Sequence, residues 1–343
     1  MNKDLKYSQE IFPGIYRITL PLPGDKPGPV SAYLFVGEKT SLLDTGTAKA
    51  SIKLQKAFAE LSVHPEDIRQ VIISHGHMDH YGSASWIVSS SGGKAKVFAH
   101  KSDSRRIETG VDVSTKTYHR FLKLMGVPYW HRHGLRVLQL IFGSMAKNCP
   151  VDSLFTENET IQIGNYKGRI IFTPGHTKGS ICIFLENEGL LFSGDHILSH
   201  ITPNALIMLK EGYDLPKRLS QKEFYESVNK IERLKPKMIY PAHGPAISDL
   251  SAVADMYRKS FEAREKKILS IIEKEKFSVY QIARKLFPNM DIRRLPLEIF
   301  LSISEVFSHL QVLRLNNVIE FQIEKGMLRI KISKHPDSAF DVF

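Results

Sequence analysis

The sequence predicts an α+β protein, and three observations carry that expectation. Short apolar runs bounded by Gly, Pro and polar turns recur from residue 11 to residue 245. Five of those runs end in histidine or aspartate rather than in the usual turn residues. From residue 256 onward the pattern changes to helical spacing followed by one hairpin.

The elements follow in order. Ile15–Leu20 and Ser31–Val36 read as strands of a meander separated by the Pro/Gly-rich loop from Pro21 to Pro29. Gly37–Thr40 turns the chain into a third strand that ends at Asp44-Thr45-Gly46, and a helix is expected from about Ala48 to Leu61. Val71–Ile73 is a short buried strand, and Ser83–Val88 looks like the first turns of a helix. Gly92–Ala99 reads as a turn and a strand ending at His100. Residues 101–150 break the alternation: Tyr118–Met125 and Leu135–Phe142 fit helices with an apolar stripe and a basic face, joined through Tyr129-Trp130-His131-Arg132-His133. We read this segment as a helical insertion lying over the site. Strand signals return at Leu154-Phe155, Glu159–Ile163, Arg169–Phe172, Ser180–Phe184, Leu190–Asp195 and Met238–Tyr240.

The stretch His75-Gly76-His77-Met78-Asp79-His80 places four candidate metal ligands in six residues after an apolar strand. His75 and His77 alternate and can converge where the strand breaks into a loop. Asp79 and His80 are adjacent and point different ways, so one segment can serve two ions. Neutral imidazoles and a carboxylate suit zinc or a similar borderline ion. Downstream, His176 sits in Thr173-Pro174-Gly175-His176-Thr177-Lys178-Gly179, Asp195 closes one strand and His243 another. One metal site fed by many strand ends explains the recurrence.

The order H-x-H-x-D-H, then H, D and H resembles the metallo-β-lactamase superfamily, in particular its glyoxalase-II-like branch, which has Asp at the fourth motif. The resemblance covers roughly residues 11–250 and implies an αββα sandwich. It implies further that His75, His77 and His176 hold one metal, that Asp79, His80 and His243 hold a second, and that Asp195 bridges them. Asp44 would sit beneath the site and orient a ligating histidine. The implied cofactors are two divalent ions, zinc by default, with iron or manganese as alternatives. The resemblance implies Asp79 and Asp195 as the catalytic carboxylates, with a hydroxide shared by the metals as the nucleophile. Had Cys stood in place of Asp195, antibiotic hydrolysis would rank higher. The run Gly194-Asp195-His196-Ile197-Leu198 with Ile201-Thr202-Pro203-Asn204 is similar to the branch of β-lactamase-like endoribonucleases and fungal thioesterases acting on carrier-bound polyketides. His196 and His200 are candidates for lining the pocket or for purely structural roles. His100, His131 and His133 are assigned no metal.

The C-terminal segment supplies a helix at Glu262–Lys274, a Ser-capped helix at Phe277–Phe287, a third at Glu298–Asn316 and a hairpin over Val318–Ile323 and Met327–Ile332. Three helices and a hairpin make a winged helix, which this branch often carries. Glu298–His309 has two acidic residues and no basic one, a poor surface for phosphate contact, so packing on the catalytic domain is expected rather than DNA binding. The expected domains are 1–255, with the insertion at about 101–150, and 256–343.

Composition agrees with a globular protein of this size: 343 residues, 42% hydrophobic and 24% charged. No apolar run approaches the roughly 20 residues that span a bilayer, and Met1–Lys6 is not followed by the apolar core of a signal peptide. Cys149 and Cys182 lack metal-ligand spacing and are expected as free thiols, which fits a cytoplasmic location. The formal charge is +11, and residues 101–150, with 9 basic and 3 acidic side chains, supply more than half of it. That concentration favours anionic partners. The expected reaction is therefore hydrolysis of an acyl thioester or ester of a small anionic substrate, in the manner of hydroxyacylglutathione hydrolases. The alternative is a phosphodiesterase or endoribonuclease acting on single-stranded RNA through the same centre, the mix at Tyr129–Arg132 being suited to base stacking. A regulator without catalysis is opposed by the complete ligand set, and a homodimer is left open.

Overall fold

The computed structural model describes residues 5–22, 27–110, 114–133, 145–210, 212–213, 215–273, 275–289 and 295–333. By the density of its internal packing the chain divides into two compact units, one of Met1–Val111, Phe142–Pro203 and Ser227–Ser251, the other of Asp112–Ile141, Asn204–Glu226 and Ala252–Phe343. The expected helix at Leu135–Phe142 lies outside the described residues.

The first unit contains two sheets. Strands β1 (Gln9–Phe12), β2 (Ile15–Leu20), β3 (Val30–Phe35) and β4 (Ser41–Leu43) form the antiparallel meander. After helix α1 (Ser51–Glu60) the chain adds β5 (Gln70–Ile72) parallel to β4. It continues through α2 (Met78–Tyr81) and α3 (Ala84–Ser90) to β6 (Lys96–His100), then through α4 (Lys101–Thr109). Helix α5 (Thr115–Leu124) belongs to the second unit, and β7 (Ser153–Phe155) closes the seven-stranded sheet in the order β1 to β7. Strands β8 (Thr160–Ile163), β9 (Tyr166–Phe172), β10 (Ile181–Leu185), β11 (Leu190–Gly194) and β12 (Met238–Pro241) form the other sheet, in the order β12-β11-β10-β9-β8. Its β11–β12 pair is parallel, because helix α6 (Ser220–Leu234) is part of the crossover between them.

Period-two alternation sorts the meander residues onto two cores. Tyr33 and Phe35 join Ile72, Ile163, Ile170, Ile183 and Phe192 in the core shared by the two sheets. Ala32 and Leu34, on the opposite face of β3, join Leu42, Val71 and Val97 against Leu54 and Phe58 of α1 and Ile87 of α3. At the second sheet, Ser227 Oγ of α6 donates to the Pro174 carbonyl at 2.8 Å and Lys230 Nζ to the Phe172 carbonyl at 2.8 Å. The result is the αββα sandwich that the motifs led us to expect.

The second unit has its own core. Helices α7 (Leu250–Ile272), α8 (Val279–Leu286) and α9 (Leu295–Leu315) contribute Ile268, Ile282, Ile303, Phe307 and Leu310 to it. Phe121 and Met125 of the α5 segment and Ile207 join the same cluster. Strand β13 (Phe277–Ser278) pairs with β15 (Met327–Ile332), which pairs in turn with β14 (Ile319–Glu324). Ser278 caps α8: its side chain accepts from Gln281 N while the Gln281 side chain accepts from Ser278 N. Helix α7 begins twelve residues before the expected helix start at Glu262 and runs across position 255. Among the described residues, no helix is long and apolar enough to cross a membrane.

Candidate metal centre

Every ligand candidate in the sequence lies just past a strand of the first unit. His75 and His77 follow β5, His176 follows β9, Asp195 follows β11 and His243 follows β12. The structure gathers them into two groups, His75, His77, His176 and Asp195 in one and Asp79, His80 and His243 in the other, with the potential ligand atoms of each group within 4.8 Å of one another. In the first group His77 Nδ1 lies 2.9 Å from His75 Nε2 and 3.0 Å from His176 Nε2. Asp195 Oδ2 lies 3.9 Å from His75 Nε2 and 3.5 Å from His176 Nε2. Its other oxygen, Oδ1, faces the second group, 3.5 Å from both His80 Nε2 and His243 Nε2. Asp79 Oδ2 completes that group at 3.5 Å from His243 Nε2 and 3.8 Å from His80 Nε2.

The motif divides differently from what adjacency implied. Asp79 and His80 do not separate. Both sit on the short helix α2 and turn to the same group, and the split falls between His77 and Asp79.

Ring orientation is fixed from behind. Asp44, at φ 59°, turns its carboxylate back under the centre: Oδ1 accepts from Ser74 N at 2.8 Å, and Oδ2 accepts from Ser74 Oγ at 2.7 Å. The same Oδ2 is 2.8 Å from His80 Nδ1, which directs His80 Nε2 forward. His243 Nδ1 lies 3.1 Å from the carbonyls of Gly28 and Pro29, a pairing that makes it a donor and frees Nε2 as the ligand atom. Asp44 thus stands where the resemblance put it.

The electrostatics differ between the groups. Burial, reinforced by neighbouring histidines, holds His75 and His77 well below the ordinary imidazole value, so both are neutral with a lone pair available. Burial also pushes His80 and His243 down, but facing carboxylates outweigh it and raise both. For Asp79 and Asp195 the balance is reversed: burial opposes ionisation, and the histidines hold both carboxyls far below the usual range. Asp79 and Asp195 are therefore carboxylates.

The residues fit metal ions. His80 Nε2, His243 Nε2 and Asp195 Oδ1 are buried, lack any hydrogen-bond partner and converge on one another. Unmatched buried polar atoms carry a desolvation cost of about 1–3 kcal/mol each, which coordination to a cation would offset. The set is four or fewer nitrogen and oxygen ligands per group, suited to zinc and tolerated by iron or manganese.

Other histidines take structural positions. His100 caps α4, its Nδ1 accepting from Ser102 N at 3.2 Å, and stacks on Phe172. His131 meets Tyr280 Oη at 3.1 Å within the second unit. His196 is fully buried, and burial drives its pKa down to about 3. His200 is exposed, with Nε2 3.0 Å from the Pro27 carbonyl. Cys149 and Cys182 are free and buried, and burial pushes their thiols up to about 11 and about 12. Two residues near the centre carry no signal in the sequence pattern: Asp103, buried on α4, and Arg106, whose charge adds to the lowering of His77.

Comparison with known proteins agrees with the fold. Residues 25–243 match the model of the metallo-beta-lactamase superfamily. The chain is 24% identical over 313 residues to the probable metallo-hydrolase YqjP of Bacillus subtilis (strain 168), covering 90% of this chain and 94% of that protein. It is 30% identical over 152 residues to the lactamase-like protein nscB of Arthroderma otae, 44% of this chain and 39% of that one. The crystal structure of the metallo-beta-lactamase family protein TTHA1429 from Thermus thermophilus superposes with a TM-score of 0.78 at 22% identity, covering 94% of this chain and all of that one. The chain belongs to the metallo-beta-lactamase superfamily and is a metal-dependent hydrolase.

Proposed function

We propose that this protein hydrolyses an acyl thioester or ester of a small anionic substrate, with His75, His77, His176 and Asp195 holding one divalent ion and Asp79, His80 and His243 a second. The observation that carries this reading is Asp195, a carboxylate with one oxygen turned to each group. Bound there, the ions, zinc by default, would supply Lewis acidity toward a substrate oxygen and lower the pKa of water. The chain's own part follows from its geometry. Asp79 is the more open of the two carboxylates, 19% exposed at its side chain against 9% for Asp195. It is ionised and so can accept a hydrogen bond from the attacking water and hold that water in line. The water oxygen bonds to the acyl carbon, the bond to sulfur or oxygen breaks, and the leaving group takes up the proton.

A second reading, cleavage of single-stranded RNA, draws on the second unit: Trp130 is 80% and Tyr129 55% exposed, and the Arg132 guanidinium lies 5.7 Å from the Tyr129 ring centre. Exposed aromatics beside a cation suit base stacking. We also propose that the α7–α9 helices with the β14–β15 hairpin form a winged helix. Glu298 and Glu305 on α9 argue against a phosphate-binding role for it.

The deciding experiment is a metal-loaded activity panel, with an acyl thioester, a bis-aryl phosphodiester and a short single-stranded RNA set against the wild type and Asp195→Ala. Thioester turnover lost in the variant supports the proposal. Turnover of RNA or phosphodiester alone replaces it with the second reading.

A further inference from the structure

The two loops that supply the histidines of the first group come from different sheets. Their flanks meet directly where Ile181 N donates to the Ser74 carbonyl at 2.9 Å, and Asp103 ties the loops together on the other side of the histidines. This carboxylate, 2% exposed on the first turn of α4, accepts three hydrogen bonds. Oδ2 takes Gly76 N at 2.8 Å, from the peptide between His75 and His77, and Thr177 Oγ1 at 2.6 Å, from the residue after His176. Oδ1 takes Gly179 N at 2.8 Å, further along the same loop as His176. One side chain therefore joins the backbone of the His75–His77 loop to that of the His176 loop.

The glycines belong to the same device. A Cβ on Gly179 would fall 2.6 Å from Asp103 Cγ, and one on Gly76 would fall 3.2 Å from Asp103 Cβ. Both positions are bare because the carboxylate must approach the peptide itself. A buried carboxylate with three donors is fully engaged, and hydrogen bonds to an ionised acceptor are the strong ones. Asp103 points no atom at the ligand cluster and is not among its members.

We infer that Asp103 is a positioning residue for the first metal, holding His75 and His77 at the spacing that lets His176 close the group. The inference rests on the metal reading above. It separates the two groups, because His80 is oriented by Asp44 and His243 by the Gly28 and Pro29 carbonyls rather than by Asp103. Residues that orient ligands typically alter metal affinity by about 10–100-fold when removed. A role in general stability would weaken both groups alike.

The test is zinc affinity measured by competition with a chromophoric chelator on the full chain. In a His243→Ala background, where only the first group is complete, Asp103→Ala is expected to weaken zinc binding by about 10–100-fold. In a His77→Ala background, where only the second is complete, it is expected to change binding by less than about threefold, well short of what loss of an orienting residue produces. Gly179→Ala leaves the carboxylate in place but displaces it, and should reproduce the first effect in weaker form; it also serves if Asp103→Ala does not fold. Equal weakening in both backgrounds, or none in either, overturns the inference. If the wild-type chain takes up two zinc ions and the Asp103 and Gly179 variants match it, the inference fails and the metal reading stands. If the wild-type chain takes up none, both fall.

Discussion

The two compact units bury polar side chains for different ends, and the contrast shows how a site differs from a structural network. In the second unit Gln221, Glu265 and His309 form a closed triangle in the core: Glu265 Oε1 is 3.2 Å from both Gln221 Nε2 and His309 Nδ1, which are 3.0 Å from each other. Gln221 Nε2, Glu265 Oε1 and His309 Nδ1 lie within hydrogen-bond distance of one another, and the network ties α6, α7 and α9 together. In the first unit the rear atoms of the histidines are paired just as carefully, but the front atoms of His80, His243 and Asp195 face one another without a hydrogen bond. A triangle that closes on itself fixes helices. An array satisfied behind and open in front is arranged for something else to bind.

That comparison can be broken at several points. The largest effect is expected from Asp195→Ala, which removes the carboxylate that turns one oxygen toward each group. Metal content and turnover should both fall by more than the roughly hundredfold typical of residues that only orient a ligand, while the unfolding transition of the second unit is preserved. Next is Phe307→Ala, a fully buried side chain of the second core. It should destabilise that unit by about 3–5 kcal/mol in denaturant titrations, with two metals per chain retained. Coupled loss of metal would show that the units are not independent. Asp44→Ala should weaken the second group by about 10–100-fold, read by metal titration, and the first group to a smaller extent, since Ser74 Oγ, which donates to Asp44, lies 3.1 Å from His75 Nδ1.

The smallest effect is a pH dependence at the surface of the first unit. Burial alone would raise the Glu60 pKa, but hydrogen bonds from Ser8 Oγ and from the backbone N–H groups of Lys6 and Tyr7 hold it below the ordinary value. A lowered folded pKa stabilises fully above the unfolded value and is lost as pH falls through the folded one. Acid unfolding of Glu60→Gln should therefore converge with that of the wild type at low pH and fall below it toward neutrality. Parallel curves would show that Glu60 does not tether the N-terminal segment.

The candidate ligands were legible because coordination would restrict residue type as well as place. Packing and turn formation do not call for histidine or aspartate just past strand after strand, whereas a metal does, and His75, His77, Asp79, His80, His176, Asp195 and His243 all converge. The meander and the hairpin were legible from alternation. Asp103 was not, since an aspartate in the first turn of a helix is what the helix dipole alone would favour. Helix α4 was missed for a related reason: Lys101–Thr109 has a single buried apolar residue, Ile107, and so no stripe to read. Residues 204–219 also gave no periodic signal, yet Ile207 N donates to Ser304 Oγ at 2.9 Å and Gln311 Nε2 donates to the Pro216 carbonyl at 2.9 Å. An extended segment packed by such single contacts leaves no repeat in the sequence.

The centre draws on loops of both sheets, from His75 after β5 to His243 after β12, and this has a consequence for biosynthesis. The seven-stranded sheet can begin to form from local hairpins while the chain is still being made, but no ligand group is whole until a distant strand arrives. The first group waits for Asp195 and the second for His243. Contacts so far apart along the chain form late because loop closure must precede them. A nascent chain stalled between residues 80 and 176 would display His75, His77, Asp79 and His80 on an unfinished surface, where thiols or stray cations in the cell could reach them. Binding of an ion by the complete groups would thereby be postponed to a finished fold.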